Sequence, residues 1–486
     1  MQFNSLEFLL FLPIVFVLYW HLLGNRCKLQ NLFVVIASYV FYGWWDWRFL
    51  VLIAFTTCCS FFNAIAIKRS LDKKELGKAK LILAGNVVIN LAILGVFKYY
   101  NFFADSLQEL LKCFSLHLDY PTLNIILPVG ISFYTFQALS YTIDVKRQVI
   151  DPTKDIVVFF AYVSFFPQLV AGPIERATNL LPQFLKERSF DYETAIDGCR
   201  QMLWGFFKKV VIADNCAYYA NIAFDNHNEV GSLSLLLGAL FFTFQIYGDF
   251  SGYSSIAIGC AKLFGIKLRD NFRVPYFSRD VAEFWKRWHI SLNRWFVDYV
   301  YIPLGGNRVT KPKVVRNIFV IFLLSGLWHG ANWTYIAWGA YHACLFIPLI
   351  IMNKNHRYGN EFRGDRALPT LSDVANMSVT FMLVVIGWII FRSTSISQAY
   401  EYLIRMFSFE YNGEFGVSVR DSLWLLLAIP AMLCIEWYNR NSRHEYQKFI
   451  SNKAVNFIFN MILVIAIYWS YLMTLESDTT FIYFQF

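Results

Sequence analysis

Long apolar runs separated by short polar connections dominate this chain. They lie near residues 6–23, 31–45, 48–67, 81–97, 124–143, 156–171 and 201–222. Others follow near 232–262, 314–338, 335–353, 375–392, 421–437 and 455–475. Each approaches the length needed to cross or enter roughly 30 Å of hydrocarbon. The pattern predicts an all-α, polytopic integral membrane protein with about 11–13 membrane segments, some of them re-entrant because several runs are short or overlap. No internal repeat is evident, which weakens a transporter built from inverted halves. The first run reads as a spanning helix, because Met1 to Glu7 holds no basic residue and no small-residue cleavage site follows.

Composition agrees. Hydrophobic residues make up 57% and charged residues 16%, whereas soluble domains carry about 25% charge. Aromatics at 19% suit a chain with Trp and Tyr at the interfaces and Phe toward lipid. The nine cysteines are scattered, and Cys58, Cys59, Cys260 and Cys344 fall in apolar runs. They predict neither disulfides nor a metal site.

Charge sets the orientation. Arg26 and Lys28, then Lys68 to Lys80, then Lys146, Arg147 and Lys154 alternate as cytoplasmic connections, with the N-terminus outside. Arg440, Arg443, Lys448 and Lys453 mark a later cytoplasmic loop, which sends the tail outward. From Lys262 to Arg316 twelve Lys and Arg face four acids, giving +8 of the chain's +9. Its mixture of Trp, Phe, Lys and Arg predicts in-plane amphipathic helices. Positive-inside topology with anionic lipid contact explains this segment, and so does recognition of a phosphorylated cytoplasmic donor. Charge alone does not choose between them. Membrane lipid, not nucleic acid, is the expected surroundings.

Ionisable groups inside a bilayer are costly and ask for a reason. His329 stands in the apolar run Ile318–Trp338, between Gly326 and Gly330, with Asn332 close enough to bond its ring or a substrate. Histidine moves protons near neutral pH, although a bond to a neighbouring helix would also explain it. His289 belongs to Glu283–Asp298, which reads as one amphipathic helix pairing Glu283 with Arg287 and placing His289 beside Asn293. His342 faces elsewhere unless Gly330 or Gly339 breaks the helix, and packing is its expected role. Asp249 lies in Gly248-Asp-Phe-Ser-Gly252, whose glycines permit close helix approach. It is a site candidate or a structural partner for a cation of the basic segment. The turn Pro303-Leu-Gly-Gly-Asn-Arg308 uses two glycines for unusual backbone angles. No Walker loop, dinucleotide fingerprint, Gly-x-Ser-x-Gly elbow or zinc helix is present.

Several long motifs in order resemble the membrane-bound O-acyltransferase (MBOAT) superfamily, in its bacterial alginate O-acetyltransferase-like branch. They are Phe3–Phe8, Phe166–Ile174, Gly248–Ser254, Glu283–Leu292, Tyr301–Arg308 and Leu327–Trp333. The resemblance implies an MBOAT-like helical bundle, one membrane domain over 1–486. Within it, 1–155 forms the N-terminal spanning helices, 156–353 the catalytic core and 354–486 the C-terminal helices and aromatic tail. It implies that His329 is catalytic, with His289 near the same funnel. Relatives often carry Asp where this chain has Ser255, so no role for that acid transfers. The tail Phe481–Phe486 resembles an aromatic motif in which a tyrosine is proposed to hold the acyl group, making Tyr483 a candidate carrier beside the plainer reading of an interfacial belt.

The expected reaction moves an acetyl group from a cytoplasmic thioester, acetyl-CoA, to a cell-envelope or secreted polysaccharide. His329 is the expected base, and His289 and Asn332 orient or polarise. Asp249, Asn293, Lys286, Arg287 and Arg308 are candidate substrate or donor contacts. No bound cofactor or metal is expected; the chain is expected in the bacterial cytoplasmic (inner) membrane, with an extracytoplasmic polysaccharide O-acetyltransferase as partner. A D-alanyl transferase to teichoic acid using a carrier-protein thioester is the alternative, followed by a transporter or channel.

Overall fold

A computed structural model describes residues 1–24, 26–116, 126–358, 368–408, 416–442 and 452–474. Among these residues all regular structure is helical. The chain packs as two compact units. One comprises Met1–Cys199 with Ala257–Arg269, and the other comprises Arg200–Ile256 with Asp270–Phe486.

The first unit begins with α1 (Leu6–Val17), α2 (Cys27–Gly43), α3 (Arg48–Asp72) and α4 (Leu76–Leu94). Then come α5 (Tyr100–Lys112), α6 (Ile131–Lys146), α7 (Ile156–Ser164), α8 (Phe166–Leu169) and α9 (Ala177–Leu185). Buried polar side chains knit it together, as expected where apolar surface alone gives helices little reason to associate. Asn86 of α4 donates to Thr142 of α6 at 3.0 Å and receives Ser60 of α3 at 3.3 Å.

Two helices contribute residues to both units: α10 (Tyr192–Phe206) and α12 (Ser232–Leu263). Between them a wide π turn, Phe207–Ala213, leads into α11 (Asp214–Asp225). The second unit continues with α13 (Val281–Arg287), α14 (Ile290–Phe296), α15 (Lys311–His329) and α16 (Trp333–Ile351). It ends with α17 (Leu371–Arg392), α18 (Ile396–Phe407), α19 (Leu423–Asn439) and α20 (Lys453–Thr474).

Six described helices are long and apolar enough to cross a membrane: Arg48–Asp72, Leu76–Lys112, Ser232–Leu263, Trp333–Ile351, Leu371–Arg392 and Lys453–Met473. Leu6–Leu22 and Leu423–Asn439 are apolar but shorter. The protein is therefore a multi-pass membrane protein. Other apolar runs of the sequence fold as helices too brief to count by length, such as α2 with 17 residues and α7 with nine. Within α12 the apolar window is 78% buried, against 11–39% for the other five. Its polar residues consequently face protein.

The overlapping runs 314–338 and 335–353 resolve into a hairpin. Gly330 is extended and ends α15, and Asn332 caps α16 by accepting the Thr334 N–H at 3.0 Å. Gly326 and Gly339 let the two helices touch: a Cβ at Gly326 would lie 2.1 Å from the Tyr335 carbonyl oxygen, and one at Gly339 2.3 Å from that of Phe322.

Glu283–Asp298 departs from the single helix that its periodicity predicts. It breaks at Trp288–His289, where Trp288 is extended and His289 is left-handed at φ 44°. Asn293 does not line a site here. Its amide donates to the carbonyls of Trp285 at 2.6 Å and Trp288 at 2.7 Å, tying off the end of α13. Together with bonds from Ile290 and Ser291 to Asn271, outside the segment, these outweigh local propensity, which holds nothing to stop the helix.

Candidate active site

The site gathers residues of the second unit. In α12, Gly248 and Gly252 do bring a neighbouring segment close. A Cβ at Gly248 would sit 2.8 Å from the Lys208 carbonyl oxygen, and one at Gly252 2.7 Å from that of Gly205. That closeness sets Lys209 between two acids. Its Nζ lies 2.7 Å from Asp249 and 2.9 Å from Asp214, with all three side chains at most 5% exposed. Asp249 thus pairs with a lysine of the π turn, which lies outside the basic segment.

Downstream, Asp280 caps α13 by accepting the Glu283 N–H at 2.7 Å. Glu283 binds both Arg279 at 2.9 Å and Arg287 at 2.8 Å, so the pairing expected from four-residue spacing is present. Lys286 donates to the carbonyls of Asn355 at 3.0 Å and Tyr358 at 2.9 Å. Lys286 and Arg287 are therefore engaged in holding the chain. Arg308 stands exposed beyond Gly305 and Gly306, whose φ values of 101° and 57° satisfy the expected turn.

His289 is buried at the start of α14. Its Nδ1 is 3.1 Å from the side-chain oxygen of Asn271, and its Nε2 has no hydrogen-bond partner. Phe250 of α12 packs edge-on to its ring at 4.6 Å, and Trp328 of α15 lies 5.8 Å away between centroids. Burial, and the nearby His329, hold its imidazole well below the usual range, so it is neutral near pH 7.

His329 is the last residue of α15 and is 5% exposed. Trp328, Trp338 and Phe391 surround it at centroid distances of 5.1, 5.2 and 5.3 Å, each edge-on. Trp328 thus touches both histidines, and two motifs forty residues apart meet across one indole. Asn332 turns elsewhere: its oxygen caps α16 and its amide donates to the Thr394 carbonyl at 2.9 Å. Gly330 likewise serves backbone approach, since a Cβ there would lie 2.2 Å from the Tyr335 ring. His342 packs among Trp285 and Trp338, at 4.9 and 5.1 Å, and neither ring nitrogen finds a hydrogen bond. Tyr483 lies outside the described residues.

Periodicity gave no sign of Asn271, Trp338 or Phe391. Lys209 could have been found, because the rule that singled out Asp249 applies equally to a lysine in an apolar run.

Two buried imidazoles thus lie among aromatic rings, a grouping suited to passing a proton between an oxygen and a leaving group. The family model of MBOAT, the membrane-bound O-acyltransferase family, matches residues 145–387, which include both histidines. A protein named probable alginate O-acetylase AlgI, from Pseudomonas aeruginosa, is 42% identical over 84% of this chain and 75% of its own. A peptidoglycan O-acetyltransferase of Helicobacter pylori is 32% identical over 98% of this chain and 95% of its own. A teichoic acid D-alanyltransferase of Bacillus subtilis is 25% identical over 76% and 91% respectively.

Proposed function

This chain belongs to the membrane-bound O-acyltransferase family, and from that premise we propose that it supplies acetyl groups for O-acetylation of a cell-envelope or secreted polysaccharide. Membership makes it a membrane enzyme of acyl transfer. The polysaccharide reading is supported by the alginate and peptidoglycan relatives, which are nearer in sequence than the D-alanyl one. In this reading the donor is acetyl-CoA on the cytoplasmic side of the bacterial inner membrane. The acetyl group passes to the outer face, where a separate O-acetyltransferase completes delivery.

The observation that carries the chemistry is that His289 and His329 both pack edge-on against Trp328. His329 acts as general base. It takes the proton of the acceptor hydroxyl as that oxygen attacks the thioester carbonyl. The carbon–sulfur bond breaks, and the imidazolium returns the proton to the departing thiolate. His289 holds the reacting groups in place. Of the three candidate cations, Lys286 and Arg287 are bound to their own chain, and the exposed Arg308 is the one offered to the donor's phosphates.

Purified protein in proteoliposomes supplied with radiolabelled acetyl-CoA tests this. His329→Ala should lower transfer by about 10²–10⁴-fold, the usual share of a general base. Undiminished transfer in that variant would remove His329 from the mechanism.

A further inference from the structure

We propose that Asn271 is a positioning residue that fixes His289 as the Nδ1–H tautomer, so that Nε2 meets the reacting groups as a proton acceptor and never as a donor. The inference rests on the acyltransferase reading and narrows it, since it says which of two roles, orienting a hydroxyl or polarising a carbonyl, His289 can play.

A backbone donor fixes the orientation of the Asn271 amide. The Asn271 side-chain oxygen lies 3.2 Å from the Ser291 amide nitrogen, which can only donate. That contact identifies the atom as the oxygen, where amide orientation is otherwise ambiguous. The same oxygen receives the Ser291 hydroxyl at 2.8 Å and faces His289 Nδ1 at 3.1 Å. An oxygen facing Nδ1 requires a proton on Nδ1. A neutral imidazole has one proton, so Nε2 keeps its lone pair.

The amide is itself held. Its nitrogen donates to Ser254 of α12 at 3.2 Å, and the Asn271 main-chain carbonyl accepts the Ile290 N–H at 2.9 Å. Asn271, Ser254 and His289 are each at most 2% exposed. These bonds over-determine a left-handed His289, a conformation that costs energy in a residue with a side chain. Strain maintained this way, next to a buried ring nitrogen with no partner, fits a group held ready for a substrate atom. Phe250 and Phe272 contribute no charge to the ring's surroundings, and His329 is the titratable group that faces it past Trp328. A lone pair on Nε2 accepts from a substrate hydroxyl or amide other than the hydroxyl that His329 deprotonates. It cannot donate to a thioester oxygen.

The test combines a tautomer measurement with kinetics. Protein labelled with nitrogen-15 histidine is placed in nanodiscs, and His289 is assigned by the signals lost in His289→Gln. The expected spectrum shows a protonated Nδ1 and a bare Nε2; a protonated Nε2 in the wild-type protein overturns the proposal. In acetyl-CoA-driven transfer, Asn271→Asp should retain kcat within about 10-fold, because a carboxylate still accepts from Nδ1. Its acid limb should move to higher pH, since the new charge favours the imidazolium. Asn271→Leu should lose about 10²-fold or more in kcat with KM for acetyl-CoA unchanged. Equal losses in both variants with a wild-type pH profile would mean a merely structural role and would also overturn it. Absence of transfer in wild-type protein with the expected tautomer present would fail the acyltransferase reading alone.

Discussion

Lys209 is the residue on which the interior is most exposed to error. It serves two carboxylates at once, Asp214 and Asp249, and all three side chains are at most 5% exposed. Buried ion pairs contribute little net stability, yet removing one partner strands the rest at a cost of about 3–5 kcal/mol. Lys209→Met should therefore lower Tm and folded yield sharply, and Lys209→Met combined with Asp214→Asn and Asp249→Asn should recover much of the loss. Thermal unfolding in detergent separates the two, and a wild-type Tm for the single variant would refute the account. Asp249, paired with Lys209, is accordingly part of the frame around the histidines. The costly-charge rule found one end of this pair from the sequence but could not say which cation answers it.

Among elements, the α15–α16 hairpin is the most constrained. Gly326 meets the Tyr335 backbone where any Cβ would be 2.1 Å from an oxygen, and backbone cannot swing aside as a side chain does. Gly326→Ala should force the helices apart and cost about 1–3 kcal/mol. Because His329 ends α15, the same change should depress acetyl transfer, read as Tm and kcat falling together; unchanged kcat would show that hairpin spacing does not set the histidine. Here the chain was readable in advance. The overlapping apolar runs and a possible helix break at Gly330 are in the sequence, and the break is there; the capping of α16 by Asn332, expected instead to bond the histidine or a substrate, comes from the structure. Residues 283–298 were unreadable by the same means. They show an amphipathic period with no Gly or Pro, and what divides them is a set of bonds to Asn271, an asparagine 18 residues before His289. Local pattern reports local preference, whereas this kink is imposed from outside the segment.

At the scale of the whole molecule, the proposal is a relay from an inner donor to an outer acceptor. Tyr483 is its candidate last station, as a hydroxyl that accepts the acetyl group before hand-over. Tyr483→Phe should abolish acetylation of the polymer in cells while leaving purified protein folded with an unchanged Tm. Retained polymer acetylation would discard the carrier. The sequence conveyed the membrane class and the two histidine motifs, because hydrocarbon enforces long apolar helices and penalises stray charge. It conveyed little about which cations of 262–316 are engaged, since Lys286 is held by carbonyls nearly seventy residues away.

The length of α12 has one more consequence. Its 32 residues span about 48 Å at 1.5 Å per residue, well beyond the roughly 30 Å of hydrocarbon that a helix long and apolar enough to cross has to span. Such a helix must lean or protrude. Asp249 falls near its midpoint and Ser254 about 7 Å farther along. The rod that carries both marks is overlong for its medium, so thinner or thicker lipid can change its lean while the spacing along it, from the ion pair to the histidine's support, stays fixed.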